Sequence, residues 1–456
     1  MSMRLARNAG WSVAAVVVSG LSLFLIYKLI VAWLGVEAVG IWSLVLATTS
    51  LARFADVGAS EGLSRFVTLA EARGDRREAV EYIETAMLSN AVLYIVLALV
   101  LVYPARSGIA YVIPPEALAP AQELLPYALV SLVLMNITSV LNASLVGLHR
   151  TDQKSIIVIL GVGVQVLGIL VFVRSYGLVG LAWAQIAQYV FIMVVAWLVL
   201  QRNLSRDTRL RLAIHWKKKI FKDLIGFGMR LRAAALLNVS FDVIVKFLMS
   251  SMAGLEMLGL YEMASRMAFQ VRQLVMAPSQ ILTPAFAQVD AQTPDRLSPF
   301  YEKVTATTFV VATPLMLAAI LVSPLVSLFW LGHISSYFLG FLAIIALSWL
   351  VSALCVPGHH LGISRGIVGW NIAGHAIATF GGGILAAVLG SIFGGIGIVA
   401  GAYAMLTLGV MLSAFMNCRR AGIQTLPSRQ SLRAAIGDML ARARKSVGFV
   451  FRSRAG

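Results

Sequence analysis

Charge is scarce in this 456-residue chain: 12% of the residues are Asp, Glu, Lys or Arg and 59% are hydrophobic, whereas a soluble domain averages about 25% charged. That shortage excludes a water-soluble fold, which would have to hide far more apolar surface than its interior holds. Acidic residues are the scarcest, 20 against 37 Lys and Arg. Two cysteines, Cys355 and Cys418, are too few for a disulfide framework or a metal cluster and read as packing residues. No carboxylate pair, histidine cluster or Cys/His arrangement stands where a reaction can be assigned, so no catalytic residue, metal ligand or cofactor is expected. His359 and His360 fall in a short predicted inner loop and read as solvated. A transmembrane barrel is excluded as well, because its strands alternate polar and apolar over about ten residues. Runs such as 91–102 and 156–173 are apolar all round.

What the chain does have is apolar sequence in bilayer lengths, with mean hydropathy +0.86. A helix rising 1.5 Å per residue needs about 20 residues to cross about 30 Å of hydrocarbon. Hydropathy and helix breakers predict twelve spans near 11–34, 40–63, 84–103, 124–147, 156–174, 178–200, 224–251, 258–287, 304–331, 337–357, 367–390 and 394–417. The chain is therefore read as an all-α polytopic membrane protein. The basic start runs into an apolar stretch with no A-x-A cleavage pattern, which predicts an uncleaved first span.

Location explains the formal charge of +17. With the N-terminus inside, 28 Lys and Arg fall on the inner side and only Arg106 and Arg174 in outer loops. Basic residues collect on the cytoplasmic side, so both termini are predicted there and an even number of spans is required. The protein is expected in a bacterial inner membrane, and nothing in the charge calls for nucleic acid. The basic stretch 202–223 divides the chain into a six-helix bundle over 1–201 and a second over 224–417, its cations facing anionic headgroups. The tail, 418–456, is basic and places Leu432, Ile436, Met439 and Leu440 on one helical face, as an interfacial amphipathic helix does.

The two bundles look like copies of each other. LGVEAVGIWSL from Leu34 and AGLEMLGLYEM from Ala253 match at Gly35/Gly254, Glu37/Glu256, Gly40/Gly259 and Trp42/Tyr261, all at an offset of 219. YGLVGLAW from Tyr176 and FGGIGIVA from Phe393 match at Gly177/Gly394 and Gly180/Gly397, at 217. Six spans on, each copy has the same membrane orientation, so a pseudo-twofold axis along the bilayer normal is predicted. Transporters built this way bind substrate near mid-membrane at the seam of the repeats.

Ionisable side chains within spans are expensive and face a partner or a wet cavity. Seven cations are predicted there, Lys28, Arg53, Arg230, Arg232, Lys246, Arg266 and Arg272, against Asp56, Asp242 and Glu262. Arg53/Asp56, Asp242/Lys246 and Glu262/Arg266 stand three or four apart, spacings that share a helix face. The three acids are candidates for ion coupling or for charge pairing. The excess of cations suits an anionic ligand. Arg53 and Arg272 are mates at 219, and Lys28 lies one residue out of register with Lys246. Arginine's planar fork fits phosphate oxygens.

These features resemble the polysaccharide transporter family of the multidrug/oligosaccharidyl-lipid/polysaccharide exporter superfamily. The resemblance rests on the early Asn8, LGVEAVGIWSL leading into RFADVGASEGLSRF, EARGDRREAVEY, LIGFGMRL, Asp242 and MAGLEMLGLYEMASR, and it extends over nearly the full chain. It implies two six-helix bundles in a V around a cationic lumen that flips a polyprenyl pyrophosphate-linked oligosaccharide to the periplasmic leaflet. Lys28, Arg53 and Arg272 would then meet the pyrophosphate. Membrane lipids and a polysaccharide polymerase or export machinery are the implied partners. An ion-coupled multidrug exporter would need an acidic cavity, and a polymerase or ligase a long outer catalytic loop, whereas the longest outer connection predicted is 103–123. The protein is expected not to be an enzyme.

Overall fold

Hydrocarbon offers the backbone no hydrogen-bond partner, so a chain this apolar must bond to itself, as helix. In the computed structural model, residues 2–50, 52, 59–204, 210, 216–276, 279 and 281–453 are described, and among them there is helix but no strand. The helices are α1 (Ser2–Leu34), α2 (Val36–Ser50), α3 (Ala59–Ala72), α4 (Arg76–Ile109), α5 (Pro115–Gly147), α6 (Thr151–Asn203) and α7 (Lys218–Ala253). They continue with α8 (Leu255–Met276), α9 (Leu282–Gln292), α10 (Leu297–Leu331), α11 (Ser336–Ser364), α12 (Gly369–Ala376), α13 (Gly382–Ala421) and α14 (Arg429–Ser453). A π-helical turn, Ile377–Gly381, joins α12 to α13.

Eight stretches of the described helix are long and apolar enough to cross a bilayer. Two of them, Thr151–Asn203 and Gly369–Ala421, have 53 residues each, about 80 Å at 1.5 Å per residue and more than twice what one crossing needs. Each breaks at a glycine: Gly177 has φ 56° and ψ −132°, and Gly394 has φ 60° and ψ −142°. Only glycine enters that region without strain. Each long helix is therefore two crossings, which raises the eight to ten. The last two of the twelve predicted segments are α2, apolar but only 15 residues long, and α8, which carries Glu256, Glu262, Arg266 and Arg272.

Several boundaries move. The predicted spans 40–63 and 258–287 each cross residues outside the described set; α3 and α9 follow as separate helices. The outer connection expected at 103–123 shrinks to 110–114, because α4 and α5 extend into it. The inner loop expected at 358–366 is largely helix, since α11 continues to Ser364.

The chain packs as two compact units, Met1–Met263 with Leu328–His333, and Ala264–Ser327 with Ile334–Gly456. In the first, a buried apolar cluster runs from Leu63 and Val67 on α3 through Ile83 and Met87 on α4 to Leu141 on α5, Ala196 on α6 and Leu224 on α7. Trp330 belongs to this unit and donates from Nε1 to the Phe24 carbonyl at 2.9 Å. In the second unit, Phe286, Leu297, Tyr301, Leu361 and Cys418 form one buried cluster, and Gly374 and Gly409 let α12 and α13 touch backbone to backbone.

The repeat is visible in matching contacts. Gly180 packs on the Phe172 carbonyl and Gly397 on the Leu389 carbonyl, equivalent contacts 217 residues apart. His149 (φ 57°) and Gly366 (φ 71°) hold the same left-handed turn at the same offset. At 219, Gly35 (φ 85°) and Gly254 (φ 90°) turn α1 into α2 and α7 into α8. Within the first unit, Gly40 of α2 lies against the Leu255 carbonyl and Gly259 of α8 against the Val36 carbonyl. Val36 and Leu255 are themselves mates, so the two contacts are one contact related by the pseudo-twofold axis. Its axis passes between α2 and the start of α8.

Two measurements check this packing. A methyl at Gly40 or Gly259 overlaps a backbone carbonyl, so Gly40→Ala and Gly259→Ala are expected to destabilise by about 1–3 kcal/mol as over-packing does. Gly163→Ala, where nothing lies within 4 Å, leaves the thermal midpoint in detergent unchanged or slightly raised. At the end of α11, Arg365 donates to both Asp290 oxygens, at 2.9 and 2.8 Å, and these bonds hold the Asp290 carboxyl below its usual range. A depressed acid stabilises the fold above its unfolded pKa of about 4 and loses that contribution as pH falls through the folded value. Arg365→Gln is therefore expected to lower the thermal midpoint at pH 7, and the gap to the parent protein closes on acidification below about pH 4.

Candidate functional site

Two groups of polar side chains stand in the membrane helices, one in each unit. The first grows from the α2/α8 crossing. Because glycines bring the backbones together there, the next inward position on each helix, Ser43 and Glu262, can touch. Ser43 Oγ donates to Glu262 Oε2 at 2.9 Å. Their separation is 219 residues, the repeat offset, so this is a residue bonded to its own repeat mate, which places the bond on the axis. Lys246, from α7, approaches the same Oε2 at 3.0 Å and Asp242 Oδ2 at 2.9 Å. Lys246 and Glu262 are 3% and 5% exposed, whereas the Asp242 side chain is 47% exposed. One buried cation thus serves two carboxylates, one dry and one wet.

The helical spacing of Asp242 and Lys246 brings them together as an i, i+4 pair. Ser43 was not legible from residue type, because a lone serine in an apolar helix signals nothing. The offset held the signal: Trp42/Tyr261 matched, and Ser43/Glu262 is the next pair. At 219 the mate of Lys246 is Tyr27, buried beside Trp330 at 5.6 Å between ring centroids. Lys28 is one residue away, about 100° around the helix, half-buried, with Nζ 5.5 Å from the Phe329 ring centroid.

Arg53 and Asp56 lie outside the described residues. Arg230 and Arg232 fall on α7, but their side chains lie outside the description. Arg266 is on the exposed side of α8.

The second group, in the second unit, centres on Arg272 of α8. Its guanidinium stacks 3.8 Å from the centroid of Trp349, on α11, and its Nε is buried with no hydrogen-bond partner among the described residues. Trp349 meets Tyr403 of α13 edge-on at 6.2 Å. The same unit holds three imidazoles: His359 and His360, which the sequence places in a solvated loop, and His375, which falls in the predicted span 367–390. His359 and His360 are part-buried in α11 because the helix does not end where the loop was expected. His359 stands 5.9 Å from His375 and 5.8 Å from His360, centroid to centroid. Asn371 pins α12 here, donating to the His359 carbonyl at 3.1 Å and accepting from Ser413 and Asn417. No group of three metal-ligating side chains occurs among the described residues.

The first group yields a stability test. Removing the cation from a buried pair strands the acid at about 3–5 kcal/mol. Lys246→Met is expected to lower the yield of monodisperse protein sharply, and Lys246→Met with Glu262→Gln to recover most of it, read by size-exclusion chromatography of detergent extracts. An additive double variant would show that the pair is not coupled.

Known structures share this architecture. A multidrug resistance MATE family transporter of the MOP superfamily, in an inward-facing conformation, superposes with a TM-score of 0.76 at 15% identity, covering 88% of this chain and 94% of its own. The lipid II flippase MurJ, in an inward closed conformation, superposes with 0.68 at 11% identity, covering 95% and 90%. A MATE structure in the straight conformation gives 0.62 at 17%, covering 91% and 96%. At such identities the likeness is one of fold. No curated protein matches by sequence. The family model described as polysaccharide biosynthesis protein matches residues 33–338. That match takes in α2 through α10 and both members of the repeat's first glycine pair, Gly35 and Gly254, and it makes this helical membrane protein a member of the polysaccharide biosynthesis protein family.

Proposed function

We propose that the protein is a flippase, not an enzyme, that moves a polyprenyl pyrophosphate-linked oligosaccharide from the cytoplasmic to the periplasmic leaflet by alternating access around a cationic cavity. The observation that carries this reading is Arg272. An arginine in a membrane helix whose buried Nε has no hydrogen-bond partner among the described residues is costly, and an aromatic face on one side holds its fork flat. A phosphate oxygen supplies what the Nε–H lacks. The repeat supports the same reading, since the mate of Arg272 at 219 is Arg53, and duplication kept a cation at both positions. Lys28, Arg230, Arg232 and Arg266 are the further cations that the sequence offers to the headgroup. Lys246 is engaged by Asp242 and Glu262, so its part is to hold the axis rather than to meet the substrate.

The excess of Lys and Arg in predicted inner loops supports a bacterial inner membrane location with both termini cytoplasmic. The α14 helix, with Ile436, Met439 and Leu440 exposed, suits the lipid interface, and polymerase or export machinery is the natural recipient of the flipped lipid. A second reading, an ion-coupled multidrug exporter, draws on one observation: at the axis two carboxylates face one lysine, and Asp242 or Glu262, with Asp56, would carry the coupling ion.

The readings part on substrate. Reconstituted protein is expected to move a fluorescent undecaprenyl pyrophosphate-linked saccharide across the vesicle membrane and not a cationic dye. Arg272→Ala and Arg53→Ala each lower the flipping rate about tenfold or more, the cost of a lost charge-assisted bond of about 1.5–3 kcal/mol. Lysine at either position retains a larger part of the rate. Unchanged flipping by both alanine variants at equal protein levels would remove the anionic-headgroup reading.

A further inference from the structure

Two apolar grooves open on the surface of the first unit, one on each flank of α4. The first, about 640 Å³, is lined by Leu88, Val92 and Val96 of α4 and by Trp216 and Phe221, where the chain enters α7. The second, about 450 Å³, lies between α4, α5 and α6, with Leu88, Ala91, Leu141 and Trp197 in its walls. Leu88 belongs to both, so the grooves run side by side with one side chain between them. Val92 and Val96 in the first, and Val194 and Leu198 in the second, are exposed. On a membrane protein that exposure is to lipid.

The first groove is held open by specific contacts. Trp216 Nε1 donates to Ser89 Oγ at 3.0 Å, the Lys217 N–H donates to Thr85 Oγ1 at 3.4 Å, and the Lys217 ammonium pairs with Glu81. Glu81, Thr85 and Ser89 stand four apart, on one face of α4, so the three contacts pin the entry of α7 along that face. Trp216 and Phe221 meet at 5.4 Å between ring centroids and form one aromatic wall. A groove facing hydrocarbon does not stay empty, because its lining would forfeit the dispersion contacts that a chain supplies. What selects the lipid is then the polar end.

At that end the charge is one-sided. Residues 217–223 read KKKIFKD, four lysines against one aspartate. Lys217 is engaged by Glu81. Lys218 lies three residues before Phe221, on the side of α7 that lines the groove, and Lys222 is four beyond Lys218. Both are exposed, and neither enters an ion pair among the described residues.

The geometry points to a binding site for one anionic phospholipid, its two acyl chains in the two grooves and its phosphate at Lys218 and Lys222. Two grooves divided by a single side chain match a lipid with two chains, whereas a polyprenyl carrier has one and would leave the second groove to bulk lipid. The aromatic wall suits the level where chains give way to headgroups, since an indole has an apolar body and a polar N–H. Basic pockets between membrane helices hold anionic headgroups by the same attraction. The site is separate from the polar groups around Lys246 and Arg272, and its occupant is a lipid of the membrane rather than the cargo.

Trp216 and Trp197 report on the two grooves, one each. The full chain is reconstituted in phosphatidylcholine nanodiscs with a minor fraction of lipid brominated on both acyl chains, carrying either a phosphatidylglycerol or a phosphatidylcholine headgroup. Bromine quenches tryptophan on contact, and each reporter's share of the fluorescence is the difference between the parent and Trp216→Phe or Trp197→Phe. Brominated phosphatidylglycerol is expected to quench both shares about fivefold more effectively than brominated phosphatidylcholine at equal fraction. The double variant Lys218→Gln/Lys222→Gln is expected to show no preference. Val92→Phe, which fills the first groove from its exposed side, is expected to protect Trp216 from either lipid. If a tryptophan variant does not fold, native mass spectrometry makes the comparison without it: one phosphatidylglycerol retained by each parent chain and none by the double lysine variant. Equal quenching by the two headgroups overturns the anionic site. A preference at Trp216 alone, relieved by undecaprenyl phosphate, overturns the two-chain lipid and gives the first groove to a single-chain carrier. No transport is read, so the flippase reading stands or falls separately.

Discussion

In hydrocarbon, apolar side chains gain nothing by leaving lipid for protein, so helices associate through close backbone packing and buried polar bonds. The α2/α8 crossing has both, and the first unit is organised around it. Gly40 and Gly259 remove the side chains that would separate the two backbones. The separation then suits the reach of a serine and a glutamate, and Ser43 meets Glu262. That carboxylate, nearly dry, requires a cation, and Lys246 brings α7 into the same contact. Each step depends on the one before it: with a methyl at either glycine, the helices part and the acid is left unpaired.

How much of this can be read from sequence depends on whether the signal is local. The glycine breaks at Gly177 and Gly394 are local, because a repeat offset and a residue type suffice to mark them. So is the i, i+4 pairing of Asp242 with Lys246. The stack of Trp349 on Arg272 is not, since nothing in either helix indicates the other. The histidines were misplaced for a different reason. Hydropathy falls around Pro357–Gly358 and His359–His360, which looks like a span ending, but α11 runs on because Gly358 and Gly362 let α13 approach so closely that its Asn417 donates to the Gly358 carbonyl. Tertiary packing kept as helix what composition marked as loop. Arg53 and Asp56, which the sequence marks as strongly as any pair, lie outside the described residues.

The two polar groups solve the cost of membrane charge in opposite ways. Around Lys246 the charges are paired within the protein, with an acid to spare. Around Arg272 the cation is shielded by an aromatic face, and its Nε has no acceptor among the described residues. A buried pair that satisfies itself has little to offer a ligand, because any newcomer must displace a good partner. An under-satisfied cation gains from every anion that arrives. This difference in saturation, more than the count of positive residues, distinguishes the two groups.

Symmetry gives this difference its meaning. Duplication produced two equal halves, and the contacts that define backbone geometry have stayed equal: the Gly35/Gly254 turns, the Gly40/Gly259 crossing and the Gly177/Gly394 breaks. The chemistry has not. Glu262 faces a serine rather than another glutamate, Lys246 corresponds to Tyr27, and His375 to Val158. Two glutamates on a twofold axis would be two like charges at hydrogen-bond distance, a repulsion that low-dielectric surroundings magnify. A residue on the axis meets its own copy, so a charge there must be lost from one half. The serine opposite Glu262 follows from that geometry. No such constraint acts away from the axis, where the second half was free to carry histidines that the first lacks.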